Sequence, residues 1–109
     1  MGVAPQAIAA VCEEAAQGEV VSPANFNAPG QIVIAGHAAA VARASEIVVA
    51  RGGKAIPLKV SAPFHCALMR PAAARLAPEL ARLAMAPLAF PVIANIDAEP
   101  NTDPARVAD

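Results

Sequence analysis

The four residues Asn27-Ala28-Pro29-Gly30 constrain this chain more than any others. Proline presets φ at the second position of a turn and glycine admits positive φ at the third, so the chain must reverse here. The flanks agree with a reversal. Val20 to Phe26 carries β-type residues, with Pro23 confining it to an edge or irregular strand, and Gln31-Ile32-Val33-Ile34-Ala35 is expected as a buried strand. Together they predict a hairpin.

Helical patterns stand on either side. Pro5, then Ile8, Val11, Cys12, Ala15 and Ala16 at 3.6-residue spacing, then Gly18, predict an amphipathic helix. After Gly36 the stretch Ala38 to Arg51 sets Val41, Ala44, Ile47 and Val48 on one face, and Gly52-Gly53 stops it. Lys54 to Val60 is expected as a further strand, Pro57 again favouring an edge. Helix, strand, strand, helix, strand is one strand short of the split βαβ pattern, whose first strand would precede Pro5.

Beyond Ser61 the pattern loosens. Pro63 and Pro71 bracket His65 in an irregular stretch, and Pro71 opens a helix whose stripe is Leu76, Leu80 and Leu83. Pro78 lies inside it, so a kink or a restart is expected there. Pro91 to Ile96 predicts a short strand, and Asp103-Pro104 a capped helix start with only five residues after it. A helix start that short and a missing first strand predict an internal piece of a longer chain; frayed tails are the alternative.

Composition narrows the functional classes. The 109 residues carry 8 basic and 9 acidic side chains, and 57% are hydrophobic but only 3% aromatic. That gives no basic field for phosphates and few rings for base stacking, against nucleic-acid binding. One modest core is affordable, two are not. No apolar run approaches the roughly 18 residues of a spanning helix, and the N-terminus lacks the order of a secretion signal, so the expected compartment is the cytoplasm, without membrane association. Cys12 and Cys66 show no CxxC spacing and are expected as reduced, buried thiols, Cys66 as a packing residue.

His65 is the most informative residue for chemistry. Neutral imidazole in a proline-bracketed loop can serve as a base near pH 7, but it needs a nucleophile, and an ordinary hydrogen-bonded or surface histidine fits the spacing as well. Cys66 beside it is poorly placed for a dyad, since neighbours point in different directions. The chain holds no G-x-S-x-G elbow, GxGxxG, Walker A loop or HExxH, and His37, His65, Cys12 and Cys66 lack metal-ligand spacing, so neither metal nor cofactor is expected. His37 is expected to cap or flank the helix after Gly36, and Glu13-Glu14 to lie on a solvated face.

The segment from Val20 through the Asn27-Ala28-Pro29-Gly30 turn to Gly36-His37, followed by Val60-Ser61-Ala62-Pro63-Phe64-His65-Cys66-Ala67-Leu68-Met69, closely resembles the bacterial malonyl-CoA:acyl carrier protein malonyltransferases of fatty acid synthesis. The likeness runs from about Pro5 to Asn101. It implies an α/β fold in which a ferredoxin-like small subdomain, residues 1–60 without its first strand, is joined to residues 61–109 of a partial α/β-hydrolase-like core. It also implies transfer of malonate through a seryl ester, with malonyl-CoA and the acyl carrier protein as partners and His65 as the general base, oriented by a backbone carbonyl.

Phe64 matches the position that goes with malonyl over methylmalonyl units in related polyketide acyltransferases. Asn25 and Asn27 match positions near the substrate groove. A core phenylalanine and turn-satisfying asparagines are the structural alternatives. The chain departs from the family in lacking the serine elbow, the carboxylate-pairing arginine and the oxyanion-hole segment, so by itself it is expected to be inactive and to need the remainder of the core. A piece of a polyketide synthase acyltransferase domain, or a non-catalytic binding module using an unpaired strand edge, are the competing expectations.

Overall fold

The computed structural model describes residues 1–108. Its elements are α1 (Pro5–Ala16), β1 (Val21–Ala28), β2 (Gln31–Gly36), α2 (Ala38–Ala50), α3 (Arg70–Ala81), β3 (Val92–Ile93) and β4 (Pro100–Asn101), with short 3-10 turns at Ala67–Met69 and Pro104–Arg106. The mixed α/β class is as expected. The chain divides into two compact units, residues 1–71 and 72–109.

In the first unit two helices pack on one face of a hairpin. Pro5 starts α1 without a side-chain cap, and Gln17 in the left-handed region followed by Gly18 at φ 84° ends it. β1 and β2 pair antiparallel, Val21 opposite Gly36, Pro23 opposite Ile34 and Phe26 opposite Ile32. Pro29 followed by Gly30 at φ 74° makes the turn. Register shifts after Pro23 and after Phe26 put one extra residue into β1 at each place. Bulges of this kind tolerate an internal proline and adjust the strand twist.

The core of this unit is small and made of small side chains. Ile8, Val11, Cys12 and Ala15 of α1 meet Ala40, Ala44 and Val48 of α2 over Val21, with Ile32 and Ile34 packed beside them. Ala15, Ala40 and Ala44 are fully buried, which lets the helices approach closely. Arg43 closes the seam. Its Nε donates to the Ala15 carbonyl at 2.7 Å and its Nη2 to the Ala16 carbonyl at 3.0 Å, while Glu19 accepts at 2.7 Å. A cation on the last carbonyls of α1 also opposes the negative end of the helix dipole.

Several expectations are corrected. Gln31–Gly36 is half-buried, because only one face of a two-stranded sheet is covered. Lys54–Val60 forms no strand: it meets another segment by backbone hydrogen bonds only at its start, where Lys54 and Met1 exchange bonds of 2.9 and 2.6 Å. Pro57 removes a donor within it, and Ile56, Leu58 and Val60 stay exposed. The Gly2 amide donates to the Gly30 carbonyl at 2.9 Å, so Met1 and Gly2 touch the hairpin end on one side and Lys54 on the other. The ferredoxin-like sheet is therefore not assembled within the described residues.

α3 runs on through Pro78 without the restart that was one of the two expectations there. The lost donor leaves the Ala74 carbonyl unpaired within the helix, and Ala74 is exposed, so water can satisfy it. The expected stripe of α3 is largely uncovered, Leu76 and Leu83 both being exposed and Leu80 half-buried. In the second unit β3 pairs antiparallel with β4, Val92 opposite Asn101 and Ile93 opposite Pro100. Asp103 caps the Pro104–Arg106 turn as its sequence predicts, accepting from the Ala105 amide at 2.9 Å.

Candidate functional site

The loop between Val60 and α3 carries the histidine. Phe64 and His65 are the central pair of a turn, with the Phe64 amide donating to the Ala62 carbonyl at 3.0 Å. His65 has φ 60°, one of three non-glycine residues in the left-handed region among the described residues. That region is uncommon for non-glycine residues, although histidine enters it more readily than most. Cys66 follows, its thiol donating to the Pro63 carbonyl at 3.1 Å, and the Met69 amide donates back to the Cys66 carbonyl at 3.0 Å as the chain winds into α3.

The imidazole of His65 is exposed, and among the described residues it takes part in no hydrogen bond. The orienting carbonyl implied by the family resemblance thus has no counterpart in these residues. Phe64 is half exposed, at 49%, rather than a core side chain. Cys66 is a half-buried free thiol. Ser61 is exposed four residues earlier in the same loop.

Asn25 and Asn27 are both exposed on β1. Cross-strand partners share a sheet face, so Phe26 with Ile32 and Pro23 with Ile34 lie on the face toward the helices, while Asn25 with Val33 and Ser22 with Ala35 lie on the opposite, open face. Asn27 falls in the second register shift, beside the turn. No hydrogen bond among the described residues joins this hairpin to the His65 turn.

His37 flanks the helix after Gly36, as expected. It stands at the N-cap of α2, but its side chain makes no capping bond; its Nδ1 accepts from the Val20 amide at 2.9 Å while its own amide donates to the Val20 carbonyl at 2.8 Å. The ring therefore pins the open end of the hairpin. No cluster of metal-ligating side chains occurs among the described residues. Burial pushes the Cys12 thiol up, which keeps it protonated and inert in the core. Glu13 and Glu14 are exposed as expected, and Glu14 pairs with Arg51 at 2.7 Å. A shallow apolar depression in the second unit, lined by Leu80, Leu83, Met85, Pro104 and Ala105 among others, presents no acid, base or nucleophile. No helix of the described residues is long and apolar enough to cross a membrane.

Comparison with known proteins places the chain. No protein-family model matches it. It is 52% identical over 110 aligned residues to the malonyl CoA-acyl carrier protein transacylase of Salmonella typhimurium, covering 100% of this chain and 36% of that protein. The Bacillus subtilis transacylase is 41% identical over 98% of the chain, again over only 34% of its own length. Among solved structures, an acyl carrier protein S-malonyltransferase from Vibrio cholerae superposes with a TM-score of 0.82 at 51% identity, over 99% of this chain and 36% of that one. A malonyl-transacylase in complex with its type II polyketide acyl carrier protein superposes with a TM-score of 0.86 at 44% identity, over 99% of this chain and 35% of that one. The chain thus spans about a third of the length of the relatives it matches. In sequence and in fold, over that third, it belongs to the malonyl CoA-acyl carrier protein transacylase family.

Proposed function

We propose that this chain supplies the general base of a malonyl transfer from malonyl-CoA to the phosphopantetheine thiol of an acyl carrier protein. A serine held elsewhere in the core takes the malonyl group as an ester. His65 removes the serine proton as the hydroxyl attacks the thioester and hands it to the departing CoA thiolate; it then deprotonates the carrier thiol as that sulfur attacks the seryl ester, and returns the proton to the departing serine oxygen. The observation that carries this assignment is the exposed imidazole of His65 on a turn held away from ordinary backbone geometry. Non-glycine residues in such conformations concentrate at functional sites.

The division of labour is taken at residue 60, inside the first compact unit. Residues 1–60 act as the small subdomain, ferredoxin-like once a further strand lies beside β2, and residues 61–109 act as part of the α/β core. Asn25 on the open face of the hairpin and Asn27 beside its turn supply amide groups for the acyl or pantetheine arm. Phe64, next to His65 and half exposed, fills the space that a branched acyl group would need. This reading is of a cytoplasmic protein, acting where CoA thioesters and carrier proteins meet.

The test uses the complete polypeptide that carries these residues. His65→Ala is expected to lower malonyl transfer about 10³-fold, the usual worth of a positioned base, with a much smaller change in the KM for malonyl-CoA. Transfer at the parent rate by this variant would overturn the assignment. The 109 residues alone, incubated with malonyl-CoA, are expected to show no malonyl adduct by intact mass after denaturation, since they contain no G-x-S-x-G serine.

A further inference from the structure

The His65 backbone needs something to hold it. A histidine at φ 60° is less stable there than a glycine would be, and the ring is exposed with no partner of its own among the described residues. Rigid elements flank the turn on one side only, where α3 begins at Arg70. On the other side Lys54–Val60 has no regular secondary structure and makes backbone hydrogen bonds to another segment only at its first residue.

One side chain spans the turn. The Cys66 thiol reaches back over Phe64 and His65 to the Pro63 carbonyl, 3.1 Å away, and it is half-buried there. Pro63 is a fixed anchor because its ring locks φ. The Cys66 carbonyl in turn accepts from Met69, which ties the same residue to the turn that starts α3. Cys66 therefore links a rigid residue before His65 to a rigid segment after it.

We infer that Cys66 is a positioning residue for His65, its thiol-to-carbonyl bond clasping the turn so that the imidazole is held in one direction. This rests on the proposed role of His65 as the base. The thiol takes no part in the chemistry. Its bond limits the backbone angles His65 can visit, and so raises the fraction of molecules in which the ring points at the reacting serine. A weak S–H donor suffices because the competing conformations differ by little once proline and α3 fix the ends.

The experiment compares Cys66→Ala and Cys66→Ser in the complete polypeptide, following malonyl transfer and the histidine ring resonances together. Cys66→Ala is expected to lower kcat about five- to tenfold with KM for malonyl-CoA unchanged, and to broaden or double the His65 ring signals. Cys66→Ser keeps a donor and is expected to restore kcat to within about twofold and the single set of signals. Parent kcat in Cys66→Ala, or a serine variant as impaired as the alanine one, would overturn the clasp; a change in KM alone would do the same. His65→Ala separates the two ideas: if it turns over normally the base assignment fails, while doubled His65 signals in Cys66→Ala would still report the clasp.

Discussion

The helix-hairpin-helix of residues 5–50 and the stretch from 72 to 108 differ in what they do with their apolar side chains. In the first, all eight buried hydrophobic residues lie between Ile8 and Val48. In the second no residue is buried, and Leu76, Leu83, Phe90, Val92, Ile93 and Ile96 are all exposed. Apolar content alone thus does not make a core. Residues 5–50 present complementary faces to one another, α1 and α2 meeting at alanines over a hairpin, whereas the stripe of α3 borders only a shallow depression and stays largely uncovered. Each exposed leucine or isoleucine forgoes about 1.5–3 kcal/mol of burial, so the second region cannot draw much stability from itself. A substitution should accordingly be felt strongly in the first region and weakly in the second.

The largest effect is expected at Gly36. A Cβ there would run into the Val20 carbonyl oxygen and come within 2.6 Å of the Val21 Cα, both backbone atoms that cannot swing aside. Gly36→Ala must therefore push β2 off the start of β1 and disturb the paired bonds between Val20 and His37. A loss of about 3 kcal/mol is expected in urea titration followed by far-UV circular dichroism. The comparison breaks if the β3–β4 amide signals shift as much as those of the hairpin.

Arg43 comes next. It satisfies two carbonyls at the end of α1 and pairs with Glu19, and it does so part-buried, so its removal leaves those carbonyls to compete for water at a closed seam. Arg43→Ala is expected to cost about 2 kcal/mol in the same titration. Arg43→Lys should recover only part of it, since one ammonium cannot reproduce the fork that reaches Ala15, Ala16 and Glu19 together. Full recovery by lysine would reduce the contact to charge alone.

Much of the first region was legible in the chain because each element carries its own punctuation. Pro5 and Gly18 bound α1, Pro29-Gly30 fixes the hairpin, and Gly52 ends α2. The failures share a cause. Lys54–Val60 has a strand's alternation, but a strand exists only when a neighbour pairs with it, and no periodicity reports a neighbour. Pro78 carries a helix-breaking rule, yet α3 continues through it with the freed Ala74 carbonyl on an exposed residue where water can reach it. At the site, the family motif picked out His65 and Phe64, yet nothing local announces a histidine in the left-handed region, and Cys66 reads as a packing residue until its thiol is seen reaching Pro63.

The smallest effect is expected in the second region, at Asp97. The Glu99 amide donates to its carboxylate at 3.0 Å and Arg106 pairs with it at 3.0 Å; these contacts, the amide first, hold its pKa below the usual aspartate value. A depressed pKa in the folded state means that the contribution is present above the unfolded value and is lost as pH falls through the folded one. The carboxylate is exposed, so water and salt screen most of it. Amide signals of Ala98, Glu99 and Arg106 are therefore expected to move together on acidification below the ordinary aspartate range, while those of α1 and α2 stay in place. Asp97→Asn should shift the same three signals at neutral pH without changing the urea midpoint of the first region. A movement of that midpoint would mean that the two regions melt as one, and the contrast between a self-sufficient core and an uncovered one would have to be given up.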